Sequence, residues 1–206
     1  MDKKELNYQM LKYKFALNVL ETEMKILIDE FVFKNKYNPV EHVKSRIKSF
    51  ESASDKLQKR GYEVTVENLK NHVHDMVGFR IVCSFLSDVK DVVKIIENSS
   101  YLKIKEKKDY ISNPKDTGYI SYHIIVYVPI HLDNNEEYIE AEIQIRTVAM
   151  DFWARLDHKI QYKFPNDIPD DIKKELYNCS LVTKILDNKM QSLNEIVNKY
   201  KNDWLK

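Results

Sequence analysis

Glycine, cysteine and long apolar runs are scarce in this sequence, and each scarcity argues against a class of protein. The 206 residues include 3 glycines and 2 cysteines, and no glycine-rich phosphate-binding loop or dinucleotide fingerprint is present. The cysteines show no CxxC or metal-ligand spacing, which predicts reduced thiols in a cytoplasmic protein. No apolar run reaches the roughly 18 residues that a membrane span needs, and the N-terminus lacks the apolar core of a signal peptide. We therefore expect no membrane contact.

The charges of the chain nearly cancel. Lysine and arginine total 33 against 32 aspartates and glutamates, so the net charge does not indicate a nucleic-acid or membrane partner, and any important electrostatic effect has to be local. Hydrophobic residues make up 43% and aromatic residues 11% of the chain, which predicts a folded protein. At this length we expect one sizeable core with helical extensions.

Both ends of the chain have the spacing of long amphipathic helices. Apolar residues alternate at intervals of four and three over 6–31, and again over 186–204, as on one face of a helix. Such seams pack either on the body of the protein or on another subunit, and the spacing does not choose between these. The interpretation is an N-terminal helical extension over 1–39, a central domain over 40–165 and a C-terminal helical extension over 166–206.

The central region predicts an α+β fold, a mixed β-sheet flanked by helices. We expect residues 40–60 to form one helix that ends at Gly61. Its apolar face would carry Val43, Ile47, Phe50 and Leu57, opposite a basic face. After it we expect a helix over 66–76, a strand over 78–85, a helix over 89–98 and a strand over 101–105. Two more strands, over 121–130 and 137–147, would follow on either side of a turn at 133–135.

The segment EAEIQIRT, residues 140–147, alternates polar and apolar residues as a strand does. Successive side chains of a strand point to opposite faces of the sheet. One face of this strand would be aliphatic, with Ile139, Ala141, Ile143 and Ile145. The other would carry two carboxylates, an amide and a guanidinium, from Glu140, Glu142, Gln144 and Arg146. An ordinary half-exposed strand has Lys, Thr or Ser about as readily, so this run raises the question of a site.

Further polar residues stand near the predicted strand ends. The segment HDMVGFR places Asp75 and Arg80 on either side of a strand entry, and NPKDTGYISYH contains Lys115 and Tyr119. Taken singly, each has an ordinary structural explanation. Taken with Glu142, they are what a magnesium nucleotide needs, because Mg²⁺ prefers one or two carboxylates plus phosphate oxygens, cations neutralise the polyphosphate and a tyrosine ring stacks on a base. Without a phosphate-binding loop, side chains have to cradle the phosphates.

Four segments, taken in order, resemble one family. HVKSRIK (42–48), HDMVGFRIVC (74–83), EKKDYISNPKDTGYISYH (106–123) and EAEIQIRTVAMDFWARLDHKIQYK (140–163) are similar to the synthetase domain of RelA/SpoT-type proteins. The resemblance spans about residues 40–165, and the length is that of a small alarmone synthetase.

This resemblance implies a nucleotidyltransferase-like sheet and Mg²⁺ as cofactor. It implies transfer of a pyrophosphoryl group from ATP to the 3′-hydroxyl of a guanosine nucleotide (GDP, GTP or GMP), which gives (p)ppGpp-type alarmones and AMP. It also implies a homotetramer joined through its helical ends, with single-stranded RNA as a regulator to consider.

The same resemblance implies roles for individual residues. The magnesium ligands would be Asp75 and Glu142, with Glu142 also the base for the 3′-hydroxyl. ATP would be held by Arg46 and Arg80 around the adenine and, at the phosphates, by Lys48, Ser52, Lys56 and Lys59. The guanosine nucleotide would contact Tyr119, which stacks on the base, and Lys115, His123, Gln144 and Asp151.

Three positions depart from the family pattern and leave the acceptor preference open. Asp151 stands where the small synthetases tend to have Asn, Glu106 where many long members have Arg, and Ile120 in place of a polar residue. His74 and Asp75 spell the HD pair of metal phosphohydrolases, but the pair lies inside the synthetase-like segment, and the helical stretch before it is too short for a separate hydrolase domain. We therefore expect synthesis only.

Two alternatives stay open at this point. One is a pyrophosphokinase of the same sheet that acts on the 3′ end of an RNA, which basic residues beyond the nucleotide pocket would favour. The other is a catalytically silent RNA or nucleotide sensor. The presence of both carboxylates argues against a silent protein, because without a metal two acids in a phosphate-binding cleft would only repel the ligand.

Overall fold

A computed structural model of the protein describes residues 2–164 and 168–204. The helices of these residues are α1 (Lys3–Asn35), α2 (Phe50–Lys59), α3 (Val66–His72), α4 (Leu86–Glu97), α5 (Val148–Gln161) and α6 (Asp170–Trp204). The strands are β1 (His42–Ile47), β2 (Val77–Cys83), β3 (Lys103–Asp109), β4 (Tyr122–Leu132) and β5 (Asn135–Thr147). None of the helices described here is long and apolar enough to cross a membrane.

The five strands form one mixed sheet in the order β1-β2-β5-β4-β3. Strands β2 and β5 are parallel, and the other neighbours are antiparallel. The turn between β4 and β5 lies where it was predicted, with Asp133 and Asn134 at φ angles of 49° and 64°. Two successive residues in the left-handed region suit the right-handed twist of a tight hairpin. The predicted mixed sheet flanked by helices, with long helices at both ends, is confirmed.

One face of the sheet is buried beneath α1 and α4. The α1 side chains of Ala16, Leu20 and Met24 are fully buried and belong to one apolar cluster with the aliphatic residues of the strands. On β5 this cluster takes the odd-numbered residues, Ile139, Ala141, Ile143 and Ile145. Each leucine, isoleucine or methionine side chain buried in this way contributes about 1.5 to 3 kcal/mol to folding. The alternation predicted for β5 is therefore confirmed, and its polar residues face away from the core.

The prediction of one helix over 40–60 is wrong in its first half. Residues His42–Ile47 form the edge strand β1, paired antiparallel with β2, and the helix α2 starts only after Ser49, whose side chain accepts from the amide of Ser52. Val43 is 46% exposed, so this segment does not bury the helical apolar face that was predicted. Apolar residues four positions apart fit a helix and a strand equally well, and the free hydrogen-bonding edge of β2 decided between them.

Other boundaries differ by a few residues. Helix α3 ends at His72 rather than at Met76 because the next four residues lead into β2, and the carbonyl of Met76 accepts from the amide of Lys48 at 2.9 Å. Strand β3 is longer than predicted because it pairs with β4 as far as Asp109. Gly61 follows α2 with a φ angle of 79°, and its amide donates to the carbonyl of Gln58. The predicted glycine end of that helix is confirmed.

The C-terminal helices pack on each other beside the sheet. Thr147, the last residue of β5, caps α5 and also donates to the carboxylate of Asp187 on α6 at 2.8 Å. Trp153 on α5 donates from Nε1 to the carbonyl of Leu176 on α6 at 2.9 Å. The predicted boundary between residues 165 and 166 lies outside the described residues, and so does the side chain of Trp204.

Candidate active site

The two predicted metal ligands come together at one end of the β2–β5 pair. Asp75 lies in the turn that enters β2, and Glu142 lies on β5 with its Cα paired to that of Gly78. Asp75 and Glu142 both line a cavity of about 240 Å³, and neither is freely exposed, since their side chains are 19% and 17% accessible. Asp75 and Glu142 are 67 positions apart in the sequence, and the parallel pairing of β2 with β5 brings them to the same cavity.

Asp75 is held by two lysines from the β1–α2 region. Lys48 Nζ lies 3.0 Å from Oδ2, and Lys56 Nζ lies 2.7 Å from Oδ1. Burial by itself would raise the pKa of Asp75, but the hydrogen bonds and charges of Lys56 and Lys48 outweigh it and lower the pKa below its ordinary value. Asp75 is therefore an anion with a cation on each oxygen.

Glu142 is also kept ionised by its neighbours. Gln144 Nε2 donates to Oε2 at 2.6 Å, and His123 Nδ1 lies 3.2 Å from Oε1. Burial would raise the pKa of Glu142, but the hydrogen bonds from His123 and Gln144 lower it, against a smaller opposing effect of the nearby charge of Asp75. Each carboxylate oxygen thus has one protein donor and keeps a lone pair for another partner.

A wall of cations lines the cavity beside the two acids. Arg46 and Lys44 come from the same face of β1, and Arg80 comes from β2, where its Cα pairs with that of Lys44. Arg80 Nη1 lies 3.2 Å from Asp151, whereas its buried Nε has no hydrogen-bond partner among the described residues. A buried donor without a partner is rare in a folded protein, so this nitrogen is an unsatisfied group beside the cavity.

Three residues predicted to contact the guanosine nucleotide form a second cluster next to Glu142. The hydroxyl of Tyr119 lies 2.9 Å from Nε2 of His123, and the ammonium of Lys115 lies 5.1 Å from the centre of the Tyr119 ring and 4.7 Å from that of Tyr110. The structure therefore connects Tyr119, His123 and Lys115 to Glu142 through direct contacts.

The loop that carries Tyr119 is fixed on α6. Gly118 has a φ angle of 85°, and a Cβ atom at this position would overlap the hydroxyl of Ser180 and lie 2.9 Å from its Cβ. Only glycine allows both this backbone conformation and this close approach. The position of Tyr119 therefore depends on the C-terminal helix.

Eight predicted residues do not line the cavity. Lys48, Lys56 and His123 contact its two acids, and Tyr119 and Lys115 are linked to them through His123. The other three are Ser52, Lys59 and Asp151. Ser52 and Lys59 lie on the exposed side of α2. Asp151 is only 1% exposed, and its carboxylate accepts from Arg80, from Arg146 at 3.4 Å and from Arg155. Burial would raise the pKa of Asp151, but the arginines, Arg155 first among them, lower it. Its oxygens are occupied by guanidinium groups rather than directed at an acceptor base.

The other unusual positions have structural explanations. Ile120 is buried, and Glu106 on β3 pairs with Lys108 at 3.0 Å. His74, the histidine of the HD pair, lies 2.6 Å from Glu140 rather than beside a cluster of metal ligands. In the part of the chain that the structure describes, no group of three or more His, Cys, Asp or Glu is placed to hold a metal ion.

Two residues of the site were missed from the sequence. Lys44 lines the cavity, and Arg146 reaches both Gln144 and the hydroxyl of Tyr119. The signal for Lys44 was its alternation with Arg46, which would have been noticed if 42–47 had been interpreted as a strand. Arg146 was on the polar face of β5, but its partners come from β4 and the preceding loop, and only the folded sheet reveals them.

Comparison with known proteins identifies relatives over nearly the whole chain. Residues 45–167 match the family model described as a region found in RelA / SpoT proteins. The chain is 47% identical to the GTP pyrophosphokinase YwaC of Bacillus subtilis over 189 residues, which are 92% of this chain and 90% of that protein. It is 29% identical to the GTP pyrophosphokinase YjbM of the same organism over 194 residues, which are 94% of this chain and 90% of that protein.

Solved structures agree with this relationship. The crystal structure of small alarmone synthetase 2 from Bacillus subtilis has a TM-score of 0.83 at 44% identity, over 93% of this chain and 98% of that one. That of small alarmone synthetase 1 from Bacillus subtilis, bound to its product pppGpp, has a TM-score of 0.86 at 28% identity, over 95% of this chain and 99% of that one. With the acidic pair, the cationic wall and these matches in agreement, the chain belongs to the RelA/SpoT family and groups there with the small alarmone synthetases.

Proposed function

We propose that this protein is a GTP/GDP diphosphokinase, which transfers a pyrophosphoryl group from ATP to the 3′-hydroxyl of a guanosine nucleotide. The 3′ oxygen forms a bond to the β-phosphorus of ATP, the bond from that phosphorus to the oxygen bridging the α-phosphate breaks, and AMP leaves. The products with GDP or GTP are ppGpp or pppGpp, and GMP is a third acceptor to test. Two relatives named GTP pyrophosphokinases and a related structure bound to pppGpp support this assignment.

The observation that carries the proposal is the pairing of acids with cations in one cavity. Asp75 and Glu142 share it with Arg46, Lys44 and Arg80. Phosphoryl transfer needs little covalent chemistry from a protein and depends on positioning and on charge stabilisation. The cavity supplies anionic oxygens for a metal and cations for a polyphosphate, and these are the two requirements of that reaction.

Asp75 and Glu142 fit the chemistry of a magnesium site, and we propose that they hold Mg²⁺. Both carboxylates are ionised, because their neighbours lower the pKa of each, and Mg²⁺ prefers one or two carboxylate oxygens together with phosphate oxygens. When bound, the ion neutralises charge on the transferring phosphates. The ammonium groups of Lys48 and Lys56 occupy Asp75 in the free protein, and cations so close to the acid are also positioned to bind the phosphates of the incoming ATP.

The other contacts to ATP follow from the same geometry. Arg46 and Arg80 line the cavity and present planar guanidinium groups that stack on an adenine ring. Ser52 and Lys59, on the exposed side of α2, contribute to phosphate binding only at the outer end of the chain of phosphates.

The guanosine nucleotide is proposed to bind on the other side of Glu142. Tyr119 offers its ring for stacking on guanine, and stacking of a base on an aromatic side chain is worth about 1 to 3 kcal/mol. Lys115 and His123 contact Tyr119, and Gln144 donates to Glu142. Asp151 acts there indirectly, because it holds Arg80 and Arg146.

The role of Glu142 as the base is tested by Glu142→Gln. With ATP and Mg²⁺, the wild-type protein should release AMP and form a 3′-pyrophosphorylated product with at least one of GMP, GDP and GTP. The variant should lose at least about a hundredfold in kcat, the usual effect of removing a general base, and its thermal unfolding should be unchanged. Glu136→Gln is the matched control, because Glu136 lies on the same strand but is exposed. A Glu142→Gln variant with wild-type AMP release would refute this role.

An RNA acceptor is less well supported. The basic strand β3 carries Lys103, Lys105, Lys107 and Lys108, but each of these contacts an acidic or tyrosine side chain, from Tyr138, Glu140, Glu97 and Glu106 respectively. A tRNA arm in the same assay tests this alternative directly. Release of AMP with tRNA as the only acceptor would mean that an RNA, rather than a guanosine nucleotide, accepts the pyrophosphoryl group. No AMP in any mixture would favour a nucleotide sensor. Regulation by single-stranded RNA stays a prediction.

We also propose that the protein is a homo-oligomer, with a tetramer as the predicted state. An apolar groove of about 960 Å³ runs between α5 and α6, and exposed apolar side chains continue along α6. They include Val182, Ile185, Leu186, Met190 and Leu193. An apolar patch of this extent is typical of a surface that another protein covers. Light scattering after gel filtration measures the mass, and a monomer at every concentration would contradict this part of the proposal. The cytoplasmic location stays a prediction.

A further inference from the structure

Glu142 stands at the end of two chains of hydrogen bonds that both begin at Arg146. In the first chain, Arg146 Nη2 donates to the hydroxyl of Tyr119, this hydroxyl lies 2.9 Å from Nε2 of His123, and Nδ1 of His123 lies 3.2 Å from Glu142. In the second chain, Arg146 Nη2 donates to Oε1 of Gln144 at 2.9 Å, and Nε2 of Gln144 donates to Glu142 at 2.6 Å. The two chains close a ring of five side chains.

The chemistry of the two end members gives both chains the same direction. A guanidinium only donates hydrogen bonds, and an ionised carboxylate only accepts them. The oxygen of Tyr119 therefore accepts from Arg146 and is free to donate its own proton to His123 Nε2. His123 in its neutral form then carries its proton on Nδ1 and donates it to Glu142. Every donor and acceptor in the ring is matched in this single arrangement.

Arg146 is fixed by contacts outside the ring. It is 4% exposed, its Nε donates to the hydroxyl of Ser121 at 3.3 Å, and its Nη1 donates to Asp151 at 3.4 Å. A guanidinium held on three sides cannot follow its partners, so the partners are oriented by it. Arg146 is not among the residues that line the cavity, so any effect it has on the reaction passes through its partners Tyr119, Gln144 and Asp151.

We propose that Arg146 and the hydroxyl of Tyr119 are positioning groups that set the orientation of Glu142 and link it to the acceptor-binding ring of Tyr119. This inference rests on the proposed function, in which Glu142 is the base and Tyr119 stacks on guanine. It assigns the Tyr119 side chain two separable roles. The aromatic face binds the acceptor, and the hydroxyl aligns the base through His123.

The substitution Tyr119→Phe separates these roles, because it keeps the ring and removes only the hydroxyl. We expect KM for the guanosine nucleotide to stay within about twofold, since the stacking face is retained, and kcat to fall about tenfold, the effect of one lost aligning hydrogen bond. Tyr110→Phe is the matched control. Tyr110 belongs to the same aromatic cluster, with its ring 5.2 Å from that of His123, but its hydroxyl has no hydrogen-bond partner in the described residues.

The substitution Arg146→Lys tests the other end of the ring. An ammonium keeps the charge but lacks the fork that serves Tyr119, Gln144 and Asp151 together. If the two groups act through one ring, the double variant with Tyr119→Phe should lose little more kcat than Arg146→Lys alone. Losses that multiply, or a Tyr119→Phe variant with wild-type kcat, would overturn the proposal. Thermal unfolding of each variant checks that it is folded.

A measurement without turnover separates failure of this proposal from failure of the proposed function. Nitrogen-15 NMR of the histidine side chains, with the His123 signal assigned through His123→Gln, reports which ring nitrogen carries the proton. We expect the Nδ1-protonated tautomer in the free wild-type protein and a changed Nε2 shift in Tyr119→Phe. A neutral His123 with its proton on Nε2 in the wild type would overturn the proposed ring of hydrogen bonds even in an active enzyme. The expected tautomer in a protein that releases no AMP would count only against the proposed function.

Discussion

Replacing Asp by Asn at two buried positions on neighbouring helices should have opposite effects on the stability of the protein. Asp187 on α6 accepts one hydrogen bond, from Thr147 at 2.8 Å, and has no cation among its hydrogen-bond partners. Burial raises the pKa of Asp187 to about 6 from an ordinary value of 3.8, and the bond from Thr147 offsets only part of this. Asp151 on α5 is just as buried but has three arginines around it, and its pKa is lowered.

The pKa of Asp187 sets the size and sign of the effect. Below about pH 4 the carboxyl is protonated in both the folded and the unfolded chain, so folding is not penalised. Between pH 4 and 6 the unfolded chain ionises while the folded protein holds its proton, and stability falls until the full penalty is present above pH 6. The difference in pKa corresponds to about 3 kcal/mol, and relaxation of the protein around the buried charge reduces this cost to about 1 to 2 kcal/mol.

Asp187→Asn should therefore stabilise the protein by about 1 to 2 kcal/mol at pH 7.5 and have nearly no effect at pH 4. Urea unfolding at both pH values, at one protein concentration because association adds to stability, gives the free energies. Asp151→Asn is the matched comparison. It leaves the buried guanidinium of Arg146 and the partly exposed Arg80 and Arg155 without their anion. This should cost about 3 kcal/mol at pH 7.5, a loss that shrinks as the pH falls through the lowered pKa of Asp151.

The reasoning would be refuted if Asp187→Asn were no more stable than the wild type at pH 7.5, or if its effect did not change between pH 4 and 7.5. The first result would mean that the hydrogen bond from Thr147 outweighs the cost of burying the charge. The second would mean that the titrating group responsible lies elsewhere.

Two further predictions concern the substrate contacts. Gly118→Ala should raise KM for the guanosine nucleotide and cost about 2 kcal/mol or more in stability, because the added Cβ meets Ser180. The control Gly61→Ala, at a similar φ angle in open space, should cost only the backbone strain. Equal losses of stability would show that the clash with Ser180 does not contribute. Lys56→Met should raise KM for ATP about tenfold and leave the acceptor KM within twofold, with the exposed Lys70→Met as control; an unchanged KM for ATP would exclude a phosphate contact.

The sequence alone determined most of the chemistry of the site. The alternation from Ile139 to Arg146 is a local property of a strand, so it predicted which side chains of β5 enter the core, and the structure agrees. On the opposite face, Glu142 and Gln144 line the cavity. Asp75 and Arg80 could be named because they flank a strand entry in a recognisable segment. The long terminal helices were also predictable, since their apolar spacing repeats over many turns.

Tertiary structure decided everything that depends on a partner far away in the chain. Residues 42–47 became a strand because β2 offered a free edge, and this placed Lys44 in the cavity. Asp151 binds three arginines instead of lying in the predicted acceptor site, and Arg146 donates hydrogen bonds to Tyr119 and Gln144. Hydrogen bonds and ion pairs between distant residues leave no periodicity in a sequence, so the sequence determined which groups are present and the packing of the sheet determined which of them meet.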